Sequence, residues 1–161
     1  MLADQQSARP RDSLVVVPTC NSASLERLVE CILRSGPFDV LIVDTQSAGG
    51  PRGLAEDLAA ERPALVSVIH CNSEWGDACS AGYRHALQWH YERVFALDVS
   101  SAHDPACLPV LRRMLFESAD VITGGVTGVR ASVLEALGVH TLDPSALHRF
   151  GYRVVEHRCD Q

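Results

Sequence analysis

The sequence of 161 residues contains no CxxC pair, although it has six cysteines: Cys20, Cys31, Cys71, Cys79, Cys107 and Cys159. The spacing of a zinc ribbon or a dithiol redox motif is therefore missing, and reduced thiols are the expectation. Positive charge is not in excess. Fourteen Lys and Arg against twenty Asp and Glu leave a net charge of -6, which argues against a general binder of nucleic acid or of anionic membranes, since both need a basic face. No apolar run approaches the length that crosses a bilayer. The opening stretch MLADQQSARPRDS has no hydrophobic core region of the kind a secretory signal carries. Residues 1–12 are thus expected to form a disordered lead and residues 13–161 a single domain, located in the cytoplasm. No long internal repeat or low-complexity tract is visible.

What is present is an alternation of short apolar runs and amphipathic stretches. Leu14 to Val17, Val40 to Val43 and Val94 to Leu97 are continuous apolar runs, the pattern of strands buried on both faces, and Leu65 to Ile69 reads as a further strand. Asp120 to Ile122 and Tyr152 to Glu156 read as two further strands. Between them, Leu25, Leu28, Val29, Ile32 and Leu33 fall on one helical face. Ser22 or Ser24 is placed to cap that helix, and Gly36-Pro37 to end it. Helices are also predicted over 54–61, 81–91, 109–117 and 131–137, with a turn at 145–148. Strand and helix alternating with short links call for a three-layer α/β fold with a mostly parallel sheet. Ligands in such sheets sit beyond the C-terminal strand ends. This directs attention to the loops PTCNS, DTQSAGG, HCNSEWG and DVSSAHDP.

Those loops, in that order, resemble the family 2 glycosyltransferases of the GT-A fold, and most of all the dolichol-phosphate or polyprenyl-phosphate mannosyltransferase branch. The text that carries the likeness is VVVPTCNSASLERLVECILRSG, VLIVDTQSAGGPRGLAEDLAAE, VSVIHCNSEWG, AGYRHAL and VFALDVSSAHDPACLPVLRRML, followed by GVRASVLEALGVHTLD and GYRVVEHR. The resemblance implies a truncated, Rossmann-like GT-A domain that binds a nucleotide sugar such as GDP-mannose and transfers the sugar to a lipid phosphate or another acceptor. It implies that Pro18, Thr19, Asn21 and Asp44 cradle the base and ribose. It also implies that Asp98 opens the D-x-D loop, which holds Mg²⁺ or Mn²⁺ against the diphosphate and serves catalysis. Arg130 matches an arginine of the family's second block, where it meets a phosphate or lies at the surface. Trp75, beside the expected pocket, either stacks on a base or sugar or covers the sheet edge.

The departures from the family pattern carry as much information. D-x-D is Asp98-Val99-Ser100 here, and one carboxylate plus a hydroxyl is a poor site for a hard divalent ion. PT-x-N-E becomes PT-C-N-S, and Glu74 and Asp77 flank Trp75 and Gly76, where they would repel a diphosphate. TGGVTGVR joins two blocks that the family keeps apart, which removes acceptor-side segments. The expectation is a transferase-like protein with weak or lost metal dependence. The alternative is a non-catalytic or repurposed relative that uses the pocket for a ligand or partner chain. A weaker alternative is a thiol enzyme built on Cys20, Cys71, Cys79 and His103, if these converge. His103-Asp104-Pro105 reads as a turn leading into the next helix. The shortened sheet would leave apolar surface uncovered, which makes a homo-oligomer the expected state.

Overall fold

The structure is a computed structural model that describes residues 12–19, 24–45, 53–71, 75–97, 104–139 and 143–158. Among these residues seven strands form one sheet: β1 (Ser13–Thr19), β2 (Asp39–Asp44), β3 (Val66–His70), β4 (Arg93–Ala96), β5 (Val121–Gly124), β6 (Thr127–Arg130) and β7 (Val154–His157). Their order is β3-β2-β1-β4-β6-β5-β7. The β1–β2, β2–β3, β1–β4 and β5–β7 pairs are parallel, and β6 runs antiparallel to both β4 and β5. The predicted mostly parallel α/β sheet is therefore found. Among the described residues six α-helices accompany the strands: α1 (Leu25–Ser35), α2 (Gly53–Glu61), α3 (Trp75–Gln88), α4 (Leu108–Glu117), α5 (Ala131–Leu137) and α6 (Pro144–Arg149). No helix among the described residues is long and apolar enough to cross a membrane.

Strand alternation sorts the core into two layers. Val15 and Val17 of β1, with Val40 and Ile42 of β2, pack against Leu25, Val29 and Ile32 of α1, Leu58 of α2 and Leu111 and Leu115 of α4. Leu14, Val16, Leu41 and Val43 point the other way, toward Ala78, Tyr83 and Ala86 of α3 and Val133 and Leu134 of α5. Helices thus cover both faces, which is why every residue of β1 is buried and why the strands read as unbroken apolar runs. Burial of each Leu, Ile or Val side chain contributes about 1.5–3 kcal/mol.

Several expectations shift in detail. α3 begins at Trp75, six residues before the predicted start, and β6 occupies TGVR, which the sequence pattern leaves as a junction. Ser24 sits at the N-cap of α1, but its hydroxyl makes no capping bond; Ser22 lies outside the described residues. Asp104 caps a short 3₁₀ turn, Pro105–Cys107, by accepting a hydrogen bond from the Ala106 N–H at 2.9 Å. That turn leads directly into α4, as predicted for Asp104-Pro105. Cys31, Cys71 and Cys79 are reduced, whereas Cys107 is disulfide-bonded, so the expectation of reduced thiols fails at Cys107. Asp12, at the edge of the predicted lead, is held against the domain by Arg93 and Arg112.

Candidate functional site

The strand order reverses direction between β1 and β4. From β1 the chain builds outward through β2 and β3, then returns to the other side of β1 for β4. A crevice forms beyond the strand ends at such a switch point. The sequence removes one rung of strand pairing there. The Leu97 N–H donates to the Val16 carbonyl at 2.9 Å. The next rung of a parallel ladder would run from residue 18 to the Leu97 carbonyl, but Pro18 has no N–H to donate. β1 and β4 are thus free to part where ligands of parallel sheets collect.

Beside that point, three polar residues form a row across the sheet. Thr19 is in register with Asp44, and Asp44 with His70, so their side chains share the face that also carries α2. Backbone bonds fix the row: the Thr45 N–H and hydroxyl both donate to the Thr19 carbonyl at 2.9 Å, and the Cys71 N–H donates to the Asp44 carbonyl at 2.8 Å. The His70 ring lies between two carboxylates, with Nδ1 3.3 Å from Asp44 Oδ2 and Nε2 3.1 Å from Glu56 Oε1 of α2. Thr19 is 8% and Asp44 7% exposed. Among the described residues two buried oxygens here, Thr19 Oγ1 and Glu56 Oε2, have no hydrogen-bond partner. An unsatisfied buried polar atom is costly in a finished core. In a cleft it is a group awaiting a ligand.

Of the sequence-predicted residues, Pro18, Thr19 and Asp44 come together at this edge. Asn21 and Asp98, as well as Cys20 and His103, lie outside the described residues. Trp75 is the first residue of α3, whose N-terminus follows β3 toward the same edge. Arg130 is elsewhere. It pairs with Arg93 in register, at the end of the sheet opposite Thr19. There its guanidinium donates to the Leu115 and Phe116 carbonyls at 2.6 and 3.3 Å and pairs with Asp120 at 3.5 Å. A cavity of about 400 Å³ opens at that far end, lined by Arg93, Arg130, Tyr91, Phe116 and Glu135 among others. It is remote from the strand ends beyond which ligands of parallel sheets collect, which leaves the Thr19–Asp44 edge as the candidate site. Cys71 and Cys79 both pack in the α3-side core. His70 and Glu56 were not singled out from sequence; the only signal was their place at a strand end and in a first helical turn.

A family model described as glycosyl transferase family 2 matches residues 14–153, which spans β1 from its second residue through β6 and ends just before β7. The chain belongs to glycosyl transferase family 2. Within the family it is 33% identical over 118 residues to an undecaprenyl-phosphate mannosyltransferase of Micrococcus luteus, covering 69% of this chain and 46% of that protein. It is 31% identical over 126 residues to a polyprenol monophosphomannose synthase of Mycolicibacterium smegmatis, covering 75% and 48%. This family 2 chain spans about half the length of these curated relatives. Among solved structures, a mannosyltransferase of Pyrobaculum calidifontis in complex with GDP-Man and Mn²⁺ superimposes with a TM-score of 0.73 at 18% identity, covering 94% of this chain and 55% of that one. A 4-diphosphocytidyl-2C-methyl-D-erythritol synthase of Anaerococcus prevotii gives 0.70 at 10% identity, covering 92% and 89%. These superpositions bear out the GT-A fold.

The ion that the fold family implies does not fit the residues that would receive it. Asp98-Val99-Ser100 supplies one anionic oxygen where D-x-D supplies two acids, and Mg²⁺ and Mn²⁺ favour anionic oxygen ligands. No chemical step is derived through that ion.

Proposed function

We propose that this family 2 chain binds a nucleotide sugar, GDP-mannose or a close analogue, at the C-terminal edge of β1, β2 and β4. It then transfers the hexose to an oxygen of a lipid phosphate or another acceptor. The observation that carries this reading is the buried Thr19–Asp44 row at the strand switch point, with the Thr19 hydroxyl unpartnered. The Asp44 carboxylate accepts hydrogen bonds from ribose or base, and the Thr19 hydroxyl completes the cradle with Pro18 and Asn21. Asp98 is assigned the contact to the sugar. Trp75, the first residue of α3, is assigned stacking on the base or sugar. The acceptor oxygen attacks the anomeric carbon, the bond to the diphosphate oxygen breaks, and the nucleoside diphosphate leaves. No protein nucleophile is needed when configuration inverts. The names of the two mannosyl-transferring relatives and of the GDP-Man complex support the donor. The single acid at Asp98 supports weak or absent metal dependence.

Titration calorimetry with GDP, UDP and GDP-mannose, with and without Mn²⁺, tests this. Wild type is expected to bind GDP-mannose with little gain from Mn²⁺. Asp44→Asn should weaken binding about tenfold or more, since a hydrogen bond to a charged group contributes about 1.5–3 kcal/mol. Ser100→Asp should introduce a gain from Mn²⁺. Absence of nucleotide binding would remove the proposal, and strong Mn²⁺ enhancement in wild type would remove its metal clause.

A second reading is favoured by one feature. β5 and β6 are joined by only two residues, Gly125 and Val126, where the family resemblance implies an acceptor-side segment. A chain that binds the donor but does not transfer its sugar would fit this. Release of nucleoside diphosphate from bound donor in the presence of a polyprenyl phosphate separates the two readings.

A further inference from the structure

We infer that Asp44, Glu56 and His70 form a divalent-cation site distinct from the D-x-D position. Among the described residues, one ligand atom from each of the three lies within 4.8 Å of the other two. Three separate elements, β2, α2 and β3, converge to place them. Nδ1 lies 3.3 Å from Asp44 and Nε2 3.1 Å from Glu56, so whichever ring nitrogen takes the ion already has one carboxylate oxygen at the separation of a neighbouring ligand. Donors held at about 2.0–2.2 Å sit roughly 3.0–3.6 Å apart.

The charge balance points the same way. Two carboxylates face one imidazole, and one of them, Asp44, is more than nine-tenths buried. Glu56 keeps a buried oxygen with no donor in reach, and the Thr19 hydroxyl, buried and unpartnered, stands in the same register row. A cation would give the Glu56 carboxylate a positive partner. Water bound to it can satisfy the Thr19 hydroxyl. One ring nitrogen serves one ion, so loading exchanges one of the two His70–carboxylate hydrogen bonds for coordination. One nitrogen and two carboxylates suit Mn²⁺, Co²⁺ or Zn²⁺ better than Mg²⁺. His70 and Glu56 are about half exposed, so an ion has a path in, and three protein ligands leave a position open.

The probe is Co²⁺ alone, with no nucleotide, so failure here is distinct from failure of the nucleotide proposal. Visible absorption of the intact chain should show one saturable Co²⁺ site. Its affinity should fall about tenfold or more in His70→Ala and in Glu56→Gln, with far-ultraviolet circular dichroism unchanged. Asp98→Asn should retain the Co²⁺ spectrum. In parallel, Mn²⁺ should broaden the His70 ring resonances before those of the other histidines. No saturable site in wild type, wild-type Co²⁺ affinity in His70→Ala, or loss of the spectrum in Asp98→Asn would each overturn the assignment.

Discussion

Tyr83 shows how burial dominates a titration. It lies 6% exposed in the α3-side core. Burial, and secondarily the nearby Cys79 thiol, push its phenol well above the usual tyrosine range. A group whose folded pKa is raised contributes stability in full below its unfolded value and loses it as pH rises through the folded value. Here the loss begins near pH ~10, where an unfolded tyrosine ionises. The urea midpoint of the wild type should therefore fall steadily above that pH, and Tyr83→Phe should flatten the decline. Equal slopes in the two proteins would mean that Tyr83 is not the group responsible. Arg93 is the mirror case. Burial first, then Arg112 and Arg130, lower its pKa, while Asp12 supplies the counter-charge. At the site, Thr19 and Asp44 were legible because strand-end polar residues stand out against apolar runs. His70 and Glu56 were not, because their meeting depends on which strands become neighbours.

Close packing explains both the elements that could be read and those that could not. α3 begins with WGDACSAG, small residues that carry no Leu or Val periodicity, so the sequence pattern places its start too late. The same small residues bring the helix down onto β1. A methyl group on Gly82 would sit 2.4 Å from a Val16 methyl, and Val16 is fully buried. Gly82→Ala should cost about 1–3 kcal/mol in chemical denaturation, and adding Val16→Ala should recover part of that loss. Additive costs in the double variant would contradict the contact. β6 was missed for a related reason. Gly128 weakens its strand signal, yet that glycine leaves room for the Phe95 ring. Gly124, which ends β5 at φ +135°, permits the two-residue link to β6 and lets the His157 carbonyl approach. By contrast, β1, β2 and β4 announced themselves because two helical layers bury both of their faces.

The assembled sheet is what turns separate strand ends into one site. Its order puts β1 at the switch, with the Thr19–Asp44–His70 row on one side and β4 on the other. Fold alone does not choose the chemistry. The choice comes from membership of glycosyl transferase family 2 together with the polar row. The charged far end, where Arg93 and Arg130 line a cavity, is the competing location on the same molecule. Amide chemical-shift mapping during titration with GDP-mannose compares the two directly. The account expects shifts concentrated at Thr19, Asp44, Thr45 and Cys71, with Arg93 and Arg130 unmoved. Shifts centred on Arg93 and Arg130, or none at saturating ligand, would contradict it.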